Sequence, residues 1–151
     1  MFENAYDLDF TKLIMQRCDV EVVFEERKKF LIRDCVTSSN PVAIILGGQP
    51  ASGKSYLTKV AENEHENEIF LIINGDDYRA YHPEHDALVK DVAHYSEKTQ
   101  IFSSVFTEKL IEEAVKNRFS VIIEGTMRNP ETPLKTATIK YQSIHFLHLK
   151  R

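Results

Sequence analysis

Val42-Ala43-Ile44-Ile45-Leu46, followed by Gly48-Gln49-Pro50-Ala51-Ser52-Gly53-Lys54-Ser55, is the stretch on which the fold turns. A short, unbroken apolar run rich in β-branched residues suits a strand buried on both faces of a parallel sheet. The segment after it fits G-x-x-x-x-G-K-[ST] at every fixed position, and the sequence from Tyr56 to about Glu64 reads as a helix. Strand, glycine-rich loop and helix, in that order, form the context in which the motif has a mechanism. Glycines let the backbone wrap round phosphates, and successive N–H groups point inward as an anion nest. The helix N-terminus adds about half a positive charge. Lys54 is placed to bridge the β- and γ-phosphates and the Ser55 hydroxyl to ligate Mg²⁺. The expectation is an ATP-Mg²⁺ site built from Gly48, Gln49, Pro50, Ala51, Ser52, Gly53, Lys54 and Ser55. The competing reading is a glycine-rich turn with no ligand.

Working outward, Ile69-Phe70-Leu71-Ile72-Ile73 and Val121-Ile122-Ile123 repeat the buried-strand character, and Ile144 to Leu149 is a fourth, more alternating candidate. The longest helical stretch lies between about Glu97 and Asn117, with Ile101, Val105, Leu110 and Ala114 as its apolar stripe. Strands separated by helices point to a three-layer α/β fold with a parallel sheet and right-handed crossovers, of P-loop kinase-like type. Residues 1–40 read as a helical segment preceding this core, which occupies 41–151. Leu8, Leu13, Ile14 and Cys18 fall near helical spacing. The run Glu25-Glu26-Arg27-Lys28-Lys29 reads as a solvated helix face, and Thr37-Ser38-Ser39-Asn40-Pro41 as the connection.

The whole is 151 residues, one domain's worth, with 42% hydrophobic and 28% charged residues, which is ordinary globular composition. A net charge of −4, with Lys and Arg scattered among acids, argues against a nucleic-acid partner. No apolar run approaches the roughly 20 residues of a membrane helix. The N-terminal MFENAYDLDF carries acids where a signal peptide has a basic start, so the chain is expected to be cytoplasmic. Cys18 and Cys35 are read as two buried thiols and not as a disulfide framework. His82, His85, His94, His145 and His148 lack metal-ligand spacing, and His82 reads as a substrate-side or capping residue.

Open parallel sheets bind ligands beyond the carboxyl ends of their strands. After the second apolar run comes Asn74-Gly75-Asp76-Asp77-Tyr78-Arg79, and after the third Glu124-Gly125-Thr126-Met127-Arg128. Asp76 and Asp77 are either site acids or plain helix N-caps in a turn-like string. Glu124 and Arg128 are either a surface ion pair or site residues. Glu124 directly ends a buried run, and ionised acids are seldom buried without a partner or role. Tyr78 and Tyr81 read as half-buried core tyrosines, with stacking on a base as the alternative.

GGQPASGKS, then NGDDYRAYHP, then EGTMRNPETPLKTA, in this order, resemble the zeta-toxin family of toxin–antitoxin systems over roughly residues 42–149. The phosphate loop is common to many kinases. The acid-to-His-Pro string and EGT-x-R with its following proline are far more specific. The resemblance implies ATP-dependent phosphorylation of UDP-N-acetylglucosamine at the 3′-hydroxyl of its amino sugar. It implies Asp76, which lies ahead of His82-Pro83, as catalytic base beside Lys54. It also implies Glu124, Thr126 and Arg128 as substrate contacts, and Ser55 as the Mg²⁺ ligand. Glu108 is carried over as a further substrate contact on the pair Thr107-Glu108 and on spacing. A small helical antitoxin is the implied partner. An aspartate is too weak a base to ionise an alcohol in advance, but phosphoryl transfer is loose and asks only for late proton removal.

Family members continue beyond the strand matched here by Ile144–Leu149, and the lid segment and its phosphate-clamping arginines are expected in that continuation. That puts catalysis by these 151 residues in doubt and leads us to expect exposed apolar surface, with self-association or a partner covering it. Arg79 and Arg128 are candidates to replace the clamp in part. Two other functions fit the same residues: a P-loop kinase for another small molecule, and a non-catalytic remnant that binds ATP, antitoxin or both.

Overall fold

The computed structural model describes residues 19–47, 53–125, 141 and 143–148. Residues 19–31 are helical (α1). There follow β1 (Val42–Gly47), α2 (Lys54–Glu64) and β2 (Phe70–Asn74). A 3-10 helix (Gly75–Tyr81) leads into α3 (His85–Leu88) and α4 (Tyr95–Lys116), and then come β3 (Ser120–Gly125) and β4 (Ser143–His148). The four strands form one parallel sheet in the order β2-β3-β1-β4. Each apolar run expected to be a strand is one, within a residue or two at its ends.

Alternation along the strands divides the core into two layers. On one face Ala43, Ile45, Leu71, Ile73, Val121 and Ile123 pack with Val20 and Phe24 of α1 and with the buried side of α4. On the other, Val42, Ile44, Leu46 and Ile122 pack with Leu57 and Ala61 of α2. The parallel α/β layering expected from the sequence is therefore present, with helices on both faces. Val20 and Phe24 are fully part of the first layer: the Phe24 ring meets Phe106 edge-on at 5.3 Å, and Lys109 pairs with Glu21.

Two details differ from expectation. The buried stripe of α4 is Phe102, Phe106, Leu110, Ile111 and Ala114, whereas Ile101 is 40% exposed and Val105 only half-buried. Steps of four from Phe102 keep the two phenylalanines, Leu110 and Ala114 on one face. Starting instead from Ile101 turns the stripe by about one residue's rotation. β2 is not buried on both faces either, because Ile72 is 44% exposed. β2 is an edge strand: Phe70 on its α2-side face still packs against the α2 layer, while Ile72 on that face is left uncovered. Cys35 is likewise only half-buried, and Cys18 lies outside the described residues.

Phe106 is the hub of the helix-covered layer, in ring contact with Phe24, Tyr78, Tyr81 and Phe102 and with no exposed surface. Phe106→Ala is expected to cost about 3–5 kcal/mol of stability, read as a lower denaturant midpoint at unchanged slope.

Candidate functional site

The strand register sets the geometry of the rim. Leu46 lies opposite Glu124 and Gly47 opposite Gly125, while Asn74 on the far side is also opposite Glu124. The carboxyl ends of β1, β3 and β2 are therefore level. The phosphate-loop sequence after β1, the Glu124 string and the Asp76 string all leave the sheet at one edge.

At the first of these ends, Gly53 occupies the N-cap of α2 with φ 85°, a left-handed conformation that disfavours any side chain. Its carbonyl accepts the N–H groups of Tyr56 and Leu57 at 3.0 and 3.3 Å. Among the described residues no side chain caps this helix and no acid lies in its first turn, so there the helix dipole meets no negative charge of its own. Ser55 is exposed in that first turn, and the backbone of Lys54 opens it. An uncapped helix N-terminus behind a left-handed glycine suits a polyphosphate. Mg²⁺ commonly takes one or two protein oxygens, the rest coming from phosphates and water, so an exposed Ser55 fits as its single ligand. Among the described residues no cluster of His, Cys, Asp or Glu makes a metal site of its own. Gly48, Gln49, Pro50, Ala51 and Ser52 lie outside the described residues.

At the end of β2, Asn74 is the capping residue of the 3-10 helix, accepting the Asp76 N–H at 3.1 Å. The N-cap alternative for Asp76 is thereby answered: Asn74 caps, and the Asp76 side chain is left for other work. That carboxylate is 62% exposed and accepts a hydrogen bond from Arg79 Nε at 3.0 Å. Gly75 is held from α4, where Ser103 Oγ donates to its carbonyl. A Cβ at Gly75 would sit 3.2 Å from Thr107 Oγ1. The glycine is there because α4 comes this close.

At the end of β3, Glu124 is half-buried and accepts a hydrogen bond from Thr58 Oγ1 of α2 at 3.0 Å. Arg128, the other member of the surface ion pair considered for Glu124, lies outside the described residues, so that alternative stays open. Asp77 stands near both other acids. Burial first, then the charges of Glu124 and Asp76, push its carboxyl above the ordinary carboxylate range. Glu108 lies on α4 one residue beyond Thr107 and is half-buried. Thr126 and Arg128 lie outside the described residues.

The remaining candidates are structural. Tyr78 is buried in the core, its hydroxyl pushed well above its usual range by burial, and its ring stacks on Tyr81. The charged run is exposed as expected except for half-buried Lys28, and its Arg27 lies over the Tyr81 ring at 4.8 Å. His82 is buried against Phe102, and its Nδ1 accepts the Glu84 N–H, which leaves the ring's proton on Nε2. Burial holds its pKa below the ordinary imidazole value. It caps rather than faces the rim. Sequence reading missed Thr58 and the part Arg79 plays. Thr58 follows Lys54 by four residues, one helical turn, and Arg79 follows Asp76 by three.

Comparison with known proteins places the chain in a family. The family model for zeta toxin matches residues 26–143. The chain belongs to the zeta-toxin family. Toxin PezT of Streptococcus pneumoniae serotype 4 is 34% identical over 110 residues, covering 72% of this chain and 43% of that protein. The zeta toxin of Streptococcus agalactiae is 33% identical over 119 residues, 76% of this chain and 40% of its own length. This zeta-family chain thus spans about two fifths of the length of those relatives. A structure from the PezAT chromosomal toxin–antitoxin system of Streptococcus pneumoniae superposes with a TM-score of 0.74 at 27% identity. The match covers 88% of this chain and 57% of that one. A protein from Chloroflexus aurantiacus assigned as a kinase gives 0.50 at 14% identity over 73% of this chain, a likeness of fold alone.

The raised Asp77 gives a pH prediction. Its folded form holds the proton more tightly than the unfolded chain does, so folding loses stability as pH rises from the ordinary carboxylate range through the folded value. Asp77→Asn is expected to raise Tm at pH 7, and the gain should vanish once the pH falls below the ordinary carboxylate range. Equal melting of the two proteins at pH 7 would count against the crowding of acids at this rim.

Proposed function

We propose that this chain catalyses ATP-dependent phosphoryl transfer to the 3′-hydroxyl of the amino sugar of UDP-N-acetylglucosamine, as the toxin of a toxin–antitoxin pair. The observation that carries the reading is the level rim. The uncapped N-terminus of α2, the Arg79-bound Asp76 and the Thr58-bound Glu124 leave three neighbouring parallel strands at one edge. Membership of the zeta-toxin family and the likeness to the PezAT structure support the toxin assignment.

Each residue has a distinct part in this reading. The backbone from Gly48 to Ser55 wraps the phosphates, Lys54 neutralises charge on the β- and γ-phosphates, and Ser55 ligates Mg²⁺. ATP-Mg²⁺ brings the transferable phosphoryl group. Asp76 would accept a hydrogen bond from the sugar hydroxyl, aim it at the γ-phosphorus, and receive its proton as the new O–P bond forms and the bond to the β-phosphate oxygen breaks, with ADP as the leaving group. Glu124, Thr126, Arg128 and Glu108 hold the nucleotide sugar. The exposure of Asp76 suits this part, since a base must be reachable by its substrate. A small helical antitoxin is the proposed partner. The second reading, a remnant that binds ATP or antitoxin without turnover, keeps the nucleotide site and drops the chemistry.

The two readings separate in an assay of ATP consumption with and without UDP-N-acetylglucosamine. Catalysis predicts sugar-stimulated turnover that Asp76→Ala lowers by about 10²–10³-fold, as for other preorganised catalytic groups, with ATP still bound. Binding of ATP with no stimulated turnover would move the assignment to the remnant. Stimulation by a different acceptor and not by this one would move it to another small-molecule kinase.

A further inference from the structure

The guanidinium of Arg79 is almost wholly committed inside the protein. Its side chain is 14% exposed and each of its three nitrogens donates to a partner within the fold. Nε donates to Asp76 Oδ1 at 3.0 Å. Nη1 donates to the Ser96 carbonyl at 2.7 Å and to Thr99 Oγ1 at 2.8 Å, and Nη2 to Gln100 Oε1 at 2.9 Å. Three of these four acceptors belong to the first two turns of α4, and Thr99 is fully buried there. The fourth is the exposed carboxylate at the end of β2.

We propose that Arg79 is the positioning residue for Asp76. It ties the acid to the first turns of α4 and so fixes where the carboxylate stands relative to the acceptor hydroxyl; this rests on the function proposed above. Of the two jobs open to an arginine at this rim, clamping a phosphate or holding a side chain, the geometry points to the second. An arginine that clamps a transferring phosphoryl group must present free N–H donors to it. Arg79 instead spends four of its five N–H donors on α4 and on Asp76. Only one oxygen of the Asp76 carboxylate is engaged in this bond, which leaves Oδ2 for the substrate. The planar fork is essential to the arrangement, because a lysine ammonium is a single point charge and cannot reach acceptors on both sides at once. Arg79 thus acts through Asp76 and is not itself a catalytic residue.

The test is a double-variant cycle on the full chain, read in kcat and KM separately. Arg79→Met and Arg79→Lys are each expected to lower kcat about 10²-fold, the scale of a small misplacement of a reacting group, and to leave KM for ATP unchanged. Gln100→Leu, which removes one support and keeps the charge, is expected to lower kcat in the same direction by less. If Arg79 works through Asp76, the double variant Asp76→Ala/Arg79→Met turns over no more slowly than Asp76→Ala alone. Losses that add, or a raised KM for ATP in the Arg79 variants, would overturn the proposal by giving Arg79 contacts of its own. An independent readout needs no turnover. The Arg79 Nε–H resonance should exchange slowly with water in the wild-type chain and quickly in Asp76→Ala. Slow exchange in a wild-type chain that shows no sugar-stimulated turnover would sink the functional reading while upholding the tie. Exchange at the rate of a free arginine in the wild type would refute the tie itself.

Discussion

The in-register parallel pairing of β1 with β3, and of β3 with β2, is the constraint from which the rest follows. Because side chains alternate along a strand, a slip of one residue would exchange the two faces of β3. Ile122 would leave the α2 layer, and Glu124, two residues on and therefore on the same face, would leave with it. The bond from Thr58 exists only in the register observed. Burial of Ala43, Ile45, Val121 and Ile123 against α4 enforces that register, since any shift would turn apolar side chains out of one layer and into the other. Packing far from the rim thus decides which acids stand on it.

The two rim acids with defined partners are held from opposite sides of the sheet. Glu124 is bound from α2, the helix whose N-terminus follows the phosphate-loop sequence. Asp76 is bound through Arg79 from α4 on the other face. Each helix is itself fixed to the sheet by its apolar side: Leu57 and Ala61 for α2, the Phe102–Ala114 stripe for α4. Such a site is rigid because its side chains borrow the rigidity of two packed layers. A substitution in the core beneath either helix would move one acid relative to the other.

The sequence made the four strands, α2 and the shared rim legible, because each rests on a local signal: an unbroken apolar run, a fixed glycine–lysine spacing, or polar residues at a strand's end. Other features needed the third dimension. Asn74-Gly75-Asp76-Asp77 reads as a turn from composition, whereas in the fold Asn74 caps a 3-10 helix that starts at Gly75, close against α4. Leu110 and Ala114 of α4 are buried as the sequence indicates, but the start of the stripe is not legible, because Ile101 and Phe102 are both apolar and adjacent residues on a helix cannot be ranked without knowing what lies opposite. The exposure of Ile72 follows from the edge position of β2, which strand order decides and a strand's own sequence does not. Thr58 and Arg79 are ordinary helix-forming or loop residues by themselves, and their importance lies in partners 66 and about 20 positions away.

Charge at the rim has a further consequence for the proposed chemistry. Asp76, Asp77 and Glu124 gather negative charge at the place where, on this reading, two more anions come together: a nucleoside triphosphate and a nucleotide sugar. Arg79 offsets part of the charge on Asp76. Among the described residues no such partner offsets Asp77, whose carboxyl is pushed up by burial and then by its neighbours' charges. Anionic substrates can approach such an edge only when their charge is met locally, by the N-terminal dipole of α2, by Lys54 and by a divalent cation on the phosphates.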